Sequence, residues 1–190
     1  CELTATTLSG GRSRAYRFSG GVWLTDVAGE PALTTTQLRE GATSPITFLC
    51  ATLGSGARLG GDLDEDTVLN GNDCAAADAG SFGMPTEVSG VSMSGASPTQ
   101  LAWTSQAPAV GSGARYDIAG GLLSQLRTSG LVTATSCVAS DLTTTSFSDA
   151  RPQPSSGDGY FYLLRAENAC GGGGFGPGRA ALDPLGCSIP

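Results

Sequence analysis

YFYLLRAENACGGGGFG, residues 160 to 176, is the stretch whose reading decides the fold. Tyr160, Tyr162, Leu164 and Ala166 recur with period two, which sets all four on one face of a β-strand and marks it as a core face. The glycine run that follows ends the strand in a turn. The opposite face carries Phe161 and Leu163, where a sheet meeting water would carry polar residues. These two are the candidate interface residues, expected to be covered by the N-terminal part of the chain, a neighbouring domain or another copy. Gly171, Gly173 and Gly176 also satisfy G-x-G-x-x-G, but Pro177 and Gly178 stand where a dinucleotide site needs a helix, so the run reads as a loop.

Upstream, PTQLAW (98–103), ARYDI (114–118) and TSFSD (145–149) are further short strand signals separated by turn residues. In this order they resemble the second, third and fifth strands of fibronectin type III domains, and the run from Tyr160 resembles the sixth strand and its following loop. The resemblance covers a little over half the chain. It implies an immunoglobulin-like β-sandwich over 85–190, with Trp103 buried beside Leu101. The sequence departs from the family in a long corner, RPQPSSGDG (151–159), and in LLSQLR (122–127), which predicts a helical turn. Cys137, Cys170 and Cys187 are also unlike animal members of the family.

Between Gly61 and Cys74 the chain reads GDLDEDTVLNGNDC. Asp62, Asp64, Asp66, Asn70 and Asp73 occupy positions one, three, five, nine and twelve of a calcium loop, and Val68 at position seven offers a backbone carbonyl. A hard cation that gathers six to eight oxygens at one point requires such alternation. The loop resembles those of EF-hand, dockerin and thrombospondin type 3 modules, which implies calcium as cofactor. Thr67 stands where glycine normally turns the chain, and Asp73 replaces the longer bidentate glutamate, so a weak site is expected.

Residues 1–60 carry β-prone runs at Arg14–Phe18, Val22–Val27 and Ile46–Leu53, separated by Gly and Pro breakers. The expected organisation is thus all-β: a β-rich section over 1–60, a calcium-loop connector over 61–84 and the sandwich over 85–190. Six cysteines without a C-x-x-C pair, in a chain with no histidine, point to disulfides rather than zinc. The expected pairs are Cys170 with Cys187, Cys1 with Cys50, and Cys74 with Cys137. An even number of cysteines favours a disulfide at Cys1 over a lipid anchor there, and the start at Cys1 reads as a processed form or a cut piece.

A net charge of −7, from ten arginines and seventeen carboxylates with no lysine, disfavours nucleic acid as a partner. No run approaches the roughly 18 apolar residues that span a bilayer. The absence of histidine removes a His-assisted Ser or Cys nucleophile. Asp149 and Asp158 are the one carboxylate pair that a glycosidase reading would use, and their setting reads as turns. The function expected is a secreted or cell-surface, non-enzymatic structural or adhesion module, as in secreted multidomain proteins of bacteria. Its partners would be other protein surfaces, including copies of itself. The alternatives are a surface-filament subunit and an accessory polysaccharide-binding domain of a secreted hydrolase.

Overall fold

A computed structural model describes residues 1–9, 11–185 and 187. The chain divides into two compact units, Cys1–Gly83 and Met84–Pro190.

In the first unit, β1 (Glu2–Ser9), β2 (Arg12–Ser19) and β3 (Val22–Thr25) form an antiparallel meander, and β4 (Thr47–Ala51) joins the far side of β1. The register places Ala5 between Tyr16 and Phe48. Ala5, Tyr16 and Trp23 bury one sheet face against Leu38 of α1 (Thr35–Gly41). The start of α1 is fixed by a capping box: Thr34 Oγ1 accepts from Gln37 N–H (3.2 Å), and Gln37 Oε1 accepts from Thr34 N–H (2.8 Å). Trp23 Nε1 donates to Thr35 Oγ1 (3.1 Å), so the core tryptophan satisfies its polar atom on the same helix. A short helix α2 (Gly56–Gly60) contacts β1 and β2, and its Gly56 N–H donates to Glu2 Oε2 (2.6 Å). Cys1 and Cys50 form a disulfide with 5.5 Å between Cα atoms, joining β4 to the start of the chain.

Residues 61–83 belong to this first unit rather than forming a separate connector. The reason is hydrogen bonding: Gly71 N–H donates to Asp26 O (2.8 Å) and Ala28 N–H to Asn72 Oδ1 (2.6 Å).

The second unit is a β-sandwich of two antiparallel sheets. β5 (Ser92–Ser94), β6 (Thr99–Ala102) and β9 (Ser146–Asp149) make a three-stranded sheet in the order β5-β6-β9. The other sheet runs β11-β10-β7-β8, from β7 (Arg115–Leu122), β8 (Ser136–Leu142), β10 (Tyr160–Asn168) and β11 (Gly171–Gly172). A short helix α3 (Ala107–Val110) precedes β7. Leu101 and Trp103 from the first sheet meet Tyr116, Ile118, Leu164 and Ala166 from the second, as the period-two pattern requires. The helical turn read at 122–127 is the start of α4 (Leu123–Ala134), which is broken at Gly130 (φ 75°).

The outward face of β10 has a cover that differs from the three expected. Leu163 packs with Ala119, Leu131 of α4, and Phe175, Leu182 and Cys187 of the unit's own C-terminal segment. Phe161 lies half-buried on the same face. The segment after β11 crosses back over the sheet through a 3₁₀ turn at Ala180–Leu185, and neither the N-terminal section nor a second copy is needed to cover Leu163.

That return also corrects two disulfides. Cys137 lies opposite Ala119 on β8, and Cys187 is carried over Ala119, so these two cysteines are joined, with 5.0 Å between Cα atoms. The bond excludes both Cys170–Cys187 and Cys74–Cys137. Cys74 and Cys170 are likewise disulfide-bonded, and no described cysteine is free. No helix among the described residues is long and apolar enough to cross a membrane.

Candidate metal centre

The acidic loop winds by a repeated local bond in which each carboxylate takes a backbone N–H from further along the chain. Asp62 accepts from Glu65 N–H (2.8 Å) and Thr67 N–H (2.9 Å), Asp66 from Val68 N–H (2.7 Å), and Asp73 from Ala75 N–H (2.7 Å). Asp64 Oδ1 makes a longer contact with Asp66 N–H (3.4 Å). These bonds are all made by the Oδ1 atoms except at Asp62, which uses both oxygens. The remaining oxygens, Oδ2 of Asp64, Asp66 and Asp73, are buried and have no hydrogen-bond partner. An anionic oxygen shut away from water without a donor is costly, and a cation is the kind of partner that three such oxygens in one loop could share.

The distances agree. Asp62, Asp64 and Asp66 each offer an oxygen within 4.8 Å of the others. Two ligands at 2.3–2.6 Å from one ion are at most about 5 Å apart, so these oxygens fit one calcium shell. Burial, and next the charges of Asp66 and Asp62, push the Asp64 carboxyl above the ordinary carboxylate range. Burial does the same to Asp73, and Asp66, Asp64 and Asp62 add to it, which ties position twelve electrostatically to the other three.

Two positions behave differently. Asn70 Oδ1 already accepts from Leu63 N–H (2.9 Å), and Asn70 N–H donates to Gly61 O (2.8 Å), so position nine closes the loop. In calcium loops of this kind, position nine commonly reaches the ion through water. Thr67 holds φ at 80°, in the left-handed region that glycine would occupy without cost.

The loop is seated on the sheet through residues that the sequence reading did not single out. Asp26, fully buried, accepts from Arg14 Nε (2.6 Å) and Ala15 N–H (2.8 Å), while its carbonyl takes Gly71 N–H. A Cβ on Gly71 would stand 2.8 Å from that carbonyl, so glycine is required by the close approach. An aspartate ending an apolar strand, VWLTD (22–26), was the available sequence signal.

The other carboxylate pair is structural. Asp149 is clasped by Arg151 (Nη2 2.7 Å, Nε 2.9 Å) and Tyr162 Oη (2.7 Å). Asp158 accepts from Ser124 N–H (3.0 Å) and Gly159 N–H (2.8 Å).

No family model matches the chain, and no curated protein matches it. Among solved structures, the crystal structure of a Fn3-like protein from Clostridium thermocellum is similar over 48% of this chain and 84% of its own, at 20% identity and a TM-score of 0.34.

Proposed function

We propose that the chain is a non-catalytic extracellular structural module whose first unit is made rigid by one calcium ion. Asp62, Asp64, Asp66 and Asp73 would supply carboxylate oxygens, with Val68 through its carbonyl and Asn70 through water. The observation that carries the reading is the set of buried, partnerless oxygens on Asp64, Asp66 and Asp73. Six oxidised cysteines support an oxidising compartment. The ion would offset two of the four negative charges and relieve their mutual repulsion, and its work would be to hold the loop against Asp26 and Val27 so that the module presents a fixed surface.

Loops of this type outside the cell bind at roughly 10⁻⁴–10⁻³ M, so millimolar calcium should stabilise the first unit by about 1 kcal/mol. Thermal unfolding followed at Trp23, in calcium and in excess chelator, tests this. Coincident curves that are also unchanged in Asp62→Ala would remove calcium from the account.

A further inference from the structure

The sandwich of the second unit is unfinished along one edge. β7 pairs with β10 from Tyr160 to Glu167, but β11 reaches only Glu167 and Asn168 on the other side. Gly173 N–H adds a bond to Ala166 O (2.7 Å), and Glu87 bridges to Arg165. Among the described residues, Tyr160–Leu163 have no strand on that side. Gly159 O accepts from Leu123 N–H (2.8 Å) and so faces β7, while Ala166 O faces β11. By the alternation of a strand, the N–H and C=O groups of Tyr160 and Tyr162 turn toward the vacant side.

The vacancy continues into the interior. Met93 lies opposite Leu101 and shares its core face, yet Met93 is 61% exposed where Leu101 is 1% exposed. Beside it opens a cleft of about 230 Å³, lined by Met93, Gly95, Thr99, Pro154, Tyr160 and Tyr162. A full last strand would fill this cleft with its inward side chains.

The first unit leaves a matching edge. Among the described residues, β4 pairs with β1 alone. Leu49 O accepts from Thr4 Oγ1 on β1 (3.4 Å), so the backbone groups of Phe48 and Cys50 turn to solvent. Phe48 and Leu49 are 49% and 52% exposed, and the run 46–53 contains no charge and no proline to blunt the edge.

We infer that β4 of one copy adds as a strand to the open edge of β10 in a second copy, with the exposed side of Phe48, whose ring also packs against Trp23, meeting the cleft between Met93 and Tyr160. The occupant is a second copy because each chain carries both halves of the contact: an uncharged apolar strand with free backbone groups, and a strand edge with a cleft beneath it in which Met93 and the rings of Tyr160 and Tyr162 are the large side chains. Different surfaces meet, so the contact is heterologous. The inference rests on the reading of the chain as a structural module and does not depend on the calcium loop.

Sedimentation of the full chain, in calcium and in chelator, tests it. The wild type should gain mass with rising concentration in both buffers. Met93→Lys, with unchanged melting, and Phe48→Lys, which also removes a ring 5.5 Å from that of Trp23 and so lowers the melting of the first unit, should each stay monomeric, and mixing the two should restore a dimer, because each variant keeps the edge the other has lost. Leu49→Lys and Ala96→Lys replace either variant that fails to fold. A wild type monomeric at every concentration overturns the inference. So does a dimer broken by Phe48→Lys but not by Met93→Lys, which would mean β4 pairing with β4, or a mixture that stays monomeric. Assembly in calcium alone would contradict independence from the loop while leaving the calcium reading intact.

Discussion

Replacing Leu182 with alanine tests whether the C-terminal segment is part of the second unit's core. Leu182 is 1% exposed and packs with Ala119, Phe175 and Cys187, with Leu131 and Leu163 at the margin. Leu→Ala at buried sites costs 2–5 kcal/mol, depending on how far the neighbours can collapse into the space. This cover is a single layer on a sheet, free to relax on its outer side, so the lower end applies: about 2–3 kcal/mol. With a urea slope of about 1.5 kcal/mol per molar, the midpoint should fall by roughly 1–2 M. The two tryptophans separate the units, because Trp23 is buried in the first and Trp103 in the second. The Trp103 transition should shift in Leu182→Ala and the Trp23 transition should not. An unmoved Trp103 midpoint would mean that the segment lies on the sheet without stabilising it, and the assignment of Leu163 to an intramolecular contact would fall.

Acid should act on the same unit through Asp149. Burial alone would raise its carboxyl, but the hydrogen bonds from Arg151 and Tyr162 outweigh that and hold it down at about 2, against an ordinary 3.8. A depressed carboxyl contributes stability above its ordinary value and loses it as pH falls through the folded value, so about 2 kcal/mol should disappear between pH 4 and 2. Asp149→Asn should be less stable at neutral pH and flatter in that window, and a parallel acid profile would refute the assignment. In the first unit, Thr67→Gly should stabilise by about 1 kcal/mol by removing the cost of the left-handed threonine. A lower melting temperature in that variant would show that the threonine side chain contributes more than its backbone costs.

The sandwich core was legible because its strands alternate. Tyr162, Leu164 and Ala166 face Leu101 and Trp103 as period two requires, and the turns carry Gly and Pro. The convergence of the acidic loop was legible because its carboxylates alternate, and Asp62, Asp64 and Asp66 come together as that spacing requires. β1 was not, since ELTATTLS buries threonines and an alanine that bear no apolar signature. The start of α1 could have been found from Thr34 and Gln37, a capping box with the standard spacing. The cover over Leu163 left little trace, because Phe175 and Leu182 sit in a segment with no period. The Cys137–Cys187 disulfide followed that return path, and spacing along a chain does not encode where a non-repetitive segment lands.

Amide NMR during a calcium titration tests the central claim most directly, since it resolves weak binding residue by residue. Saturable shifts confined to the amides of Asp62–Asp73 and their neighbours Asp26 and Val27, and lost in Asp64→Ala, are the predicted result. Shifts that never saturate, that spread over the acidic surface, or that persist in Asp64→Ala would contradict a calcium site in this loop.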